Sequence, residues 1–262
     1  MDLNLQGRRA LVCGGSEGIG RAAAQELAGL GASVTLLARR EAALRDATAG
    51  LPTTQTGQSH AWIVADTNDP DALRHRVEVV ADVQPFHILV NNSGGPPGGP
   101  AHAAASSDFL SAFRQHLLAG QACVQAVLPG MKAAQWGRII NVISTSVKEP
   151  IPNLGVSNTV RGAVASWAKT LSRELGGFGI TVNNVLPGYT RTQRLDQILR
   201  DRAAAAGKSE EEVARGMLAT VPAARFAQSE EIAAAIAFLA SPAAGYVNGV
   251  SLAVDGGRMQ SI

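Results

Sequence analysis

Only two cysteines, Cys13 and Cys123, occur in 262 residues, and neither has a Cys-x-x-Cys neighbour. That is too few for a disulfide framework, and both read as small buried side chains. Neither sign of charge dominates: Lys and Arg number 23 against 21 Asp and Glu, a net +2. With no Lys/Arg-rich run, the electrostatic footprint of a nucleic-acid binder is missing. Long hydrophobic runs are also missing. The apolar stretch 233–240 is far shorter than the roughly 18 residues of a membrane span. The N-terminus lacks the charged, apolar and small-residue blocks of a signal peptide, so the expected compartment is the cytoplasm. His60, His75, His87 and His102 have no metal-ligand spacing, and no metal site is expected. Serine hydrolase chemistry is not expected. Tyrosine is scarce as well, with Tyr189 and Tyr246 alone.

What is present is core-forming. Apolar residues make up 46 % and charged residues 17 %, which excludes a disordered chain. Short β-branched or apolar runs at 10–13, 33–38, 61–65, 86–90, 138–143, 180–186 and 250–254 read as strands. Between them, 19–30, 40–49, 108–128, 158–175 and 230–239 read as helices, and Asp69-Pro70 caps and opens another. Strict alternation predicts right-handed β-α-β crossovers. The expected fold is therefore α/β: one Rossmann-like domain over 1–262, with a doubly wound parallel sheet of about seven strands and helices on both faces. Two irregular stretches follow strands, 94–100 (GGPPGGP) and 190–222, the second holding a Ser209/Glu212 capping box. Open α/β sheets bind ligands at the carboxyl ends of their strands, so both stretches are expected to line a substrate cleft, with 190–222 as its lid.

The turn Cys13-Gly14-Gly15-Ser16-Glu17-Gly18-Ile19-Gly20 lies between the first strand and the first helix. Glycine there permits positive φ, and the helix N-terminus offers free N–H groups and a positive dipole end to a phosphate. Dinucleotide folds usually place an acid at the end of strand two to hold the adenosine ribose. Here that place reads Ala38-Arg39-Arg40. Guanidinium groups suit the 2′-phosphate of NADP, so NADP(H) is preferred over NAD(H), with Glu17 acting mildly against it.

With these residues in place the chain resembles the short-chain dehydrogenase/reductase family, in layout closest to its 3-oxoacyl-[acyl-carrier-protein] reductases. The resemblance runs from about Gly7 to Gly257. The family's glycine motif falls on residues 13–20, its Asp after strand three on Asp66, and its Asn-Asn-Ala-Gly on Asn91-Asn92-Ser93-Gly94. Its Pro-Gly falls on Pro187-Gly188, its following Thr on Thr192, and its closing Asp-Gly-Gly on 255–257. The resemblance implies cofactor contacts from Gly14, Ser16, Glu17, Gly18, Ile19, Gly20, Asp66, Asn92, Gly94, Arg161, Pro187, Gly188, Thr190 and Thr192. It also implies a homotetramer or homodimer, built on the helices that begin near Asp108 and Asn158.

The catalytic positions depart from the family. Its Ser falls on Ser144, but its Tyr falls on Ser157, its Lys on Arg161 and its helical Asn on His116. Ser157 and Arg161 share a helical face, four residues apart. Arg161 can supply charge and donors, whereas an aliphatic hydroxyl is a far weaker acid than a phenol and is a ring shorter. The remaining proton sources are Tyr189, His116, Lys148 or a bound water. The expected function is an NAD(P)(H)-dependent oxidoreductase acting on a small carbonyl or alcohol. The alternative is a catalytically inactive dinucleotide-binding scaffold or sensor.

Overall fold

The computed structural model describes residues 1–261. Seven strands form one sheet: β1 (Arg9–Cys13), β2 (Ser33–Ala38), β3 (Ala61–Val64), β4 (Ile88–Asn91), β5 (Gly137–Val142), β6 (Ile180–Pro187) and β7 (Ser251–Val254). Their order is β3-β2-β1-β4-β5-β6-β7, and every pair is parallel. Chain direction across the sheet reverses between β1 and β4, which opens a crevice at the carboxyl ends of the strands.

Side chains alternate across each strand and feed two cores. Ala10, Val12, Leu36, Val90 and Ile140 face α1 (Gly18–Gly29) and α9 (Ser229–Ala240). Leu11, Leu37, Leu89, Ile139 and Val182 pack on the other face. There they meet α3 (Pro70–Val83), α5 (Ala119–Ala133) and α6 (Gly155–Leu175). A short α2 (Glu41–Ala49) follows β2. The Asp69 carboxylate caps α3 by accepting from the Ala72 N–H at 3.1 Å, with Pro70 in the first turn. Among the described residues no helix is long and apolar enough to cross a membrane.

The expected single helix 108–128 is instead three pieces: α4 (Ser106–Phe113), a wide π-type turn (Arg114–Leu118) and α5. Periodicity cannot detect one extra residue in a turn, and His116 lies within this one. α5 also runs through Pro129 rather than stopping before it. Val124, Val127 and Met131 are buried on both sides of the proline, and tertiary packing overrides the lost backbone hydrogen bond.

Of the two irregular stretches, 94–100 divides. Gly94, Gly95 and Pro96 line the crevice, while Gly99 pairs with Asn153 and Gly155 ahead of α6. The 190–222 stretch carries α7 (Gln193–Ala206) and α8 (Glu210–Leu218). Ser209 and Glu212 form the expected reciprocal cap at 3.2 and 2.9 Å.

Candidate active site

The crevice encloses about 650 Å³, within the usual range for small-molecule and cofactor sites. Its inner end is the glycine-rich turn. Gly14 and Gly18 have φ of +60° and +53°, a region that L side chains rarely adopt. Gly20 does not face the crevice but lies beneath it: a Cβ there would sit 2.1 Å from the Gly14 carbonyl oxygen. Only glycine lets α1 approach the turn this closely. The Asn92 amide donates to the Cys13 and Gly14 carbonyls at 3.4 Å, tying the β4 loop to the turn. Gly14, Ser16, Glu17, Gly18 and Ile19 all line the opening, joined by Asn92, Gly94, Pro187, Gly188, Thr190 and Thr192.

Some of the expected cofactor residues are engaged elsewhere. Asp66 is not in the crevice wall: its carboxylate accepts from the Asn68 backbone and side chain at 3.0 Å, and Ala65 and Thr67 form the wall instead. The Thr190 hydroxyl donates back to the Gly188 carbonyl at 3.2 Å. Thr192 caps α7, with its methyl over Gly18. Arg40 pairs with Glu17 at 2.7 Å across the mouth. Arg39 stands exposed in the same wall, with no ion-pair partner among the described residues.

At the other end, Ser144 follows β5. Its oxygen accepts from the Ser146 N–H at 3.1 Å, which leaves the hydroxyl proton free to donate into the crevice. Ser157 and Arg161 project from the first turns of α6, both nearly buried and both in the wall. One terminal nitrogen of Arg161 donates to the Val142 and Ile143 carbonyls at 3.2 and 3.0 Å, pinning the guanidinium to the end of β5. Burial lowers its pKa to about 10, helped by the like charge of Arg194, so it stays protonated at neutral pH.

The three candidate proton sources separate. His116 lies 2.7 Å from the Ser93 hydroxyl through Nδ1, and its Nε2 is buried without a partner among the described residues. Burial and then the Arg161 charge push its pKa to about 3. The expectation of His116 as a proton source is corrected: this imidazole is neutral at pH 7, because burial and the nearby Arg161 charge both oppose its protonation. Tyr189 lines the crevice, packed edge-to-face on Phe226 at 6.3 Å with the Arg258 guanidinium 4.7 Å from its ring centre. Lys148 is exposed on the turn after Ser144 and is not in the wall, so it drops out as a donor.

Two arrangements are not expected from the sequence. Asn91 donates to Asn141 at 2.9 Å, Asn141 to Asn184 at 3.0 Å and Asn184 to Ser251 at 3.1 Å, a polar rung across β4 to β7. Asn91, Asn141 and Asn184 sit in the carboxyl halves of their strands while Ser251 opens β7, and a polar residue at matched depth in apolar strands was the available signal. The second is Arg194, brought to the crevice only by the entry of α7. Cys13 and Cys123 are buried as expected, with their sulfurs 3.8 Å apart.

The chain is similar to several known proteins. Residues 14–258 match the family model described as enoyl-(acyl carrier protein) reductase. Gluconate 5-dehydrogenase of Gluconobacter oxydans is 32 % identical over 260 residues, covering 99 % of this chain and 97 % of that protein. A 3-oxoacyl-[acyl-carrier-protein] reductase of Haemophilus influenzae is 33 % identical over 256 residues, covering 97 % and 98 %. L-sorbose reductase of Gluconobacter frateurii, solved with NADPH and L-sorbose, superposes with a TM-score of 0.92 at 28 % identity over all of both chains.

Proposed function

The chain belongs to the short-chain dehydrogenase/reductase family, and from that premise we propose an oxidoreductase that couples NADP(H) to a small carbonyl or alcohol substrate. Arg39 carries the cofactor choice: a guanidinium without an acid partner stands at the end of β2, beside the glycine-rich turn. The residues fit the group. The turn and the N-terminus of α1 present N–H groups to a pyrophosphate, Gly20 lets α1 pack close beneath the turn, and Arg39 meets a 2′-phosphate. When bound, NADP(H) gives or accepts the hydride. The protein's part is to orient and polarise.

In the reductive direction the carbonyl carbon gains the hydride and the oxygen gains a proton. Ser144 donates its free hydroxyl proton in a hydrogen bond to that oxygen, and the Arg161 charge stabilises it as negative charge develops. Ser157 lines the pocket where the family has a tyrosine and supplies no comparable acid. Neutral His116 holds Ser93 in place. The proton itself comes from water or from Tyr189, the remaining candidates. The 190–222 segment acts as the substrate-side lid, and exposed apolar residues on α4 support a homo-oligomer. A cytoplasmic location belongs to the same reading.

Titration with NADPH and NADH, followed by nicotinamide fluorescence, tests this reading. Saturable binding with NADPH preferred, followed by turnover on a carbonyl panel, is expected. No binding of either dinucleotide, reduced or oxidised, overturns it. A second reading, a scaffold or sensor without turnover, is favoured by Ser157 at the tyrosine position. NADPH binding without consumption, with activity gained in a Ser157→Tyr/Arg161→Lys variant, selects that one.

A further inference from the structure

Five arginines line the crevice (Arg39, Arg40, Arg161, Arg191 and Arg194), against one acid, Glu17. Glu17 lies at the adenosine end and is taken by Arg40. At the far end two guanidinium groups converge on one gap. A Cβ placed on Gly95 would lie 3.7 Å from Nη2 of Arg161 and 3.7 Å from Nη2 of Arg194. Arg161 is held from behind by two backbone carbonyls, and Arg194 by the Pro96 carbonyl at 2.8 Å. Both therefore keep N–H donors for the gap. Neither has an acidic partner among the described residues. The lowering of Arg161 by Arg194 is a second sign that two like charges share this space. A buried cation without a counter-ion is costly, and an arriving carboxylate relieves both the desolvation and the repulsion. Gly95 keeps the space open, since any larger side chain there would reach both guanidinium groups.

We propose that the substrate is an anion: an oxo acid or its hydroxy-acid counterpart, whose carboxylate sits between Arg161 and Arg194 over Gly95. Ser144 then addresses the oxygen that changes between carbonyl and alcohol. The assignment rests on the oxidoreductase reading and adds its substrate class. The competing source of the same chemistry is the cofactor pyrophosphate. Its place is at Gly18, which Thr192 faces, whereas Arg194, two residues further along, is turned to Gly95 and Pro96.

The test is calorimetric titration of the NADP-loaded protein with gluconate and, separately, with the neutral polyol sorbitol, in wild type, Arg194→Gln and Arg194→Lys. Gluconate is expected to bind the wild type at least tenfold more tightly than it binds Arg194→Gln, with partial recovery in Arg194→Lys and loss of affinity in added salt. Sorbitol affinity should not change, and NADPH affinity should stay within twofold. Arg194 is exposed at the start of α7, so these variants should fold. A Gly95→Val variant gives an independent block of the same gap. Gluconate binding no tighter than sorbitol in wild type overturns the proposal, as does an Arg194→Gln variant that loses NADPH instead of gluconate. Gluconate binding to a protein that binds no NADPH would keep the anion site and remove the oxidoreductase reading, so the two failures are distinguishable.

Discussion

Arg39 and Arg40 stand side by side but differ in what they have left to offer a ligand. Arg40 is already satisfied by Glu17, and an exposed pair of that kind contributes about 0–1 kcal/mol. Arg39 is free, so Arg39→Ala is expected to weaken NADPH binding about tenfold, one charge-assisted contact's worth, and to leave NADH unchanged. Fluorescence titration measures both, and equal losses for the two cofactors would sink the assignment. His116 makes a different kind of prediction. Its pKa is about 3 in the fold against 6.5 in the free side chain. The unfolded chain therefore takes up a proton as pH falls below 6.5 and the folded protein does not until about 3. Stability contributed by the neutral imidazole is thus complete above that window and lost through it, on the order of 5 kcal/mol in all. Urea midpoints at pH 7 and pH 4 should lie closer together in His116→Gln than in wild type. Catalysis should show no inflection near pH 6.5 from this residue. Neither effect is legible from a histidine in a helix pattern, because the shift depends on burial and on the Arg161 charge that α6 provides.

At the scale of elements, the glycine-rich turn and the asparagine rung divide what sequence can and cannot show. The turn was legible because its constraint is local: positive φ and a missing Cβ are properties of glycine itself. Gly20→Ala would press a methyl group into the Gly14 carbonyl, a backbone atom that cannot give way cheaply. Loss of dinucleotide binding is expected, with a fall in melting temperature. The rung was not legible, because Asn91, Asn141 and Asn184 meet only once β4, β5 and β6 are in register. Asn141→Ala leaves two buried amides short of a partner, at about 1–3 kcal/mol each. For a chain of this size that is a drop of roughly 5 °C or more in Tm, and scanning calorimetry would show it. An unchanged Tm would mean that the rung contributes little. The π-type turn at Arg114–Leu118 was hidden for a similar reason: the hydrophobic period on each side stays helical.

For the molecule as a whole, the two cores and the reversal between β1 and β4 place every candidate group at one end of the sheet. Several large apolar side chains stay exposed, two of them on the outer surface of α4. Leu110 is 70 % exposed and Phe113 39 %, three residues apart on one face. Light scattering is expected to give a multiple of the 27.1 kDa chain mass, reduced in a Leu110→Glu variant. A wild-type mass of one chain at micromolar concentration would remove the oligomer proposal.

The sequence by itself determined the order of strands and helices, the doubly wound class and the position of the phosphate turn. These follow from periodicity, caps and glycine, which act over a few residues. It also placed Ser157 and Arg161 on one helical face, since four residues are one turn. Only the tertiary structure decided which charges are already satisfied. Arg40 is paired while Arg39 is free, Asp66 is turned to Asn68, Lys148 is left in solvent, and Arg194 is carried across to Arg161. Charge and hydrogen-bond satisfaction depend on which groups from distant segments come within a few ångströms, and no local pattern in the chain encodes that distance.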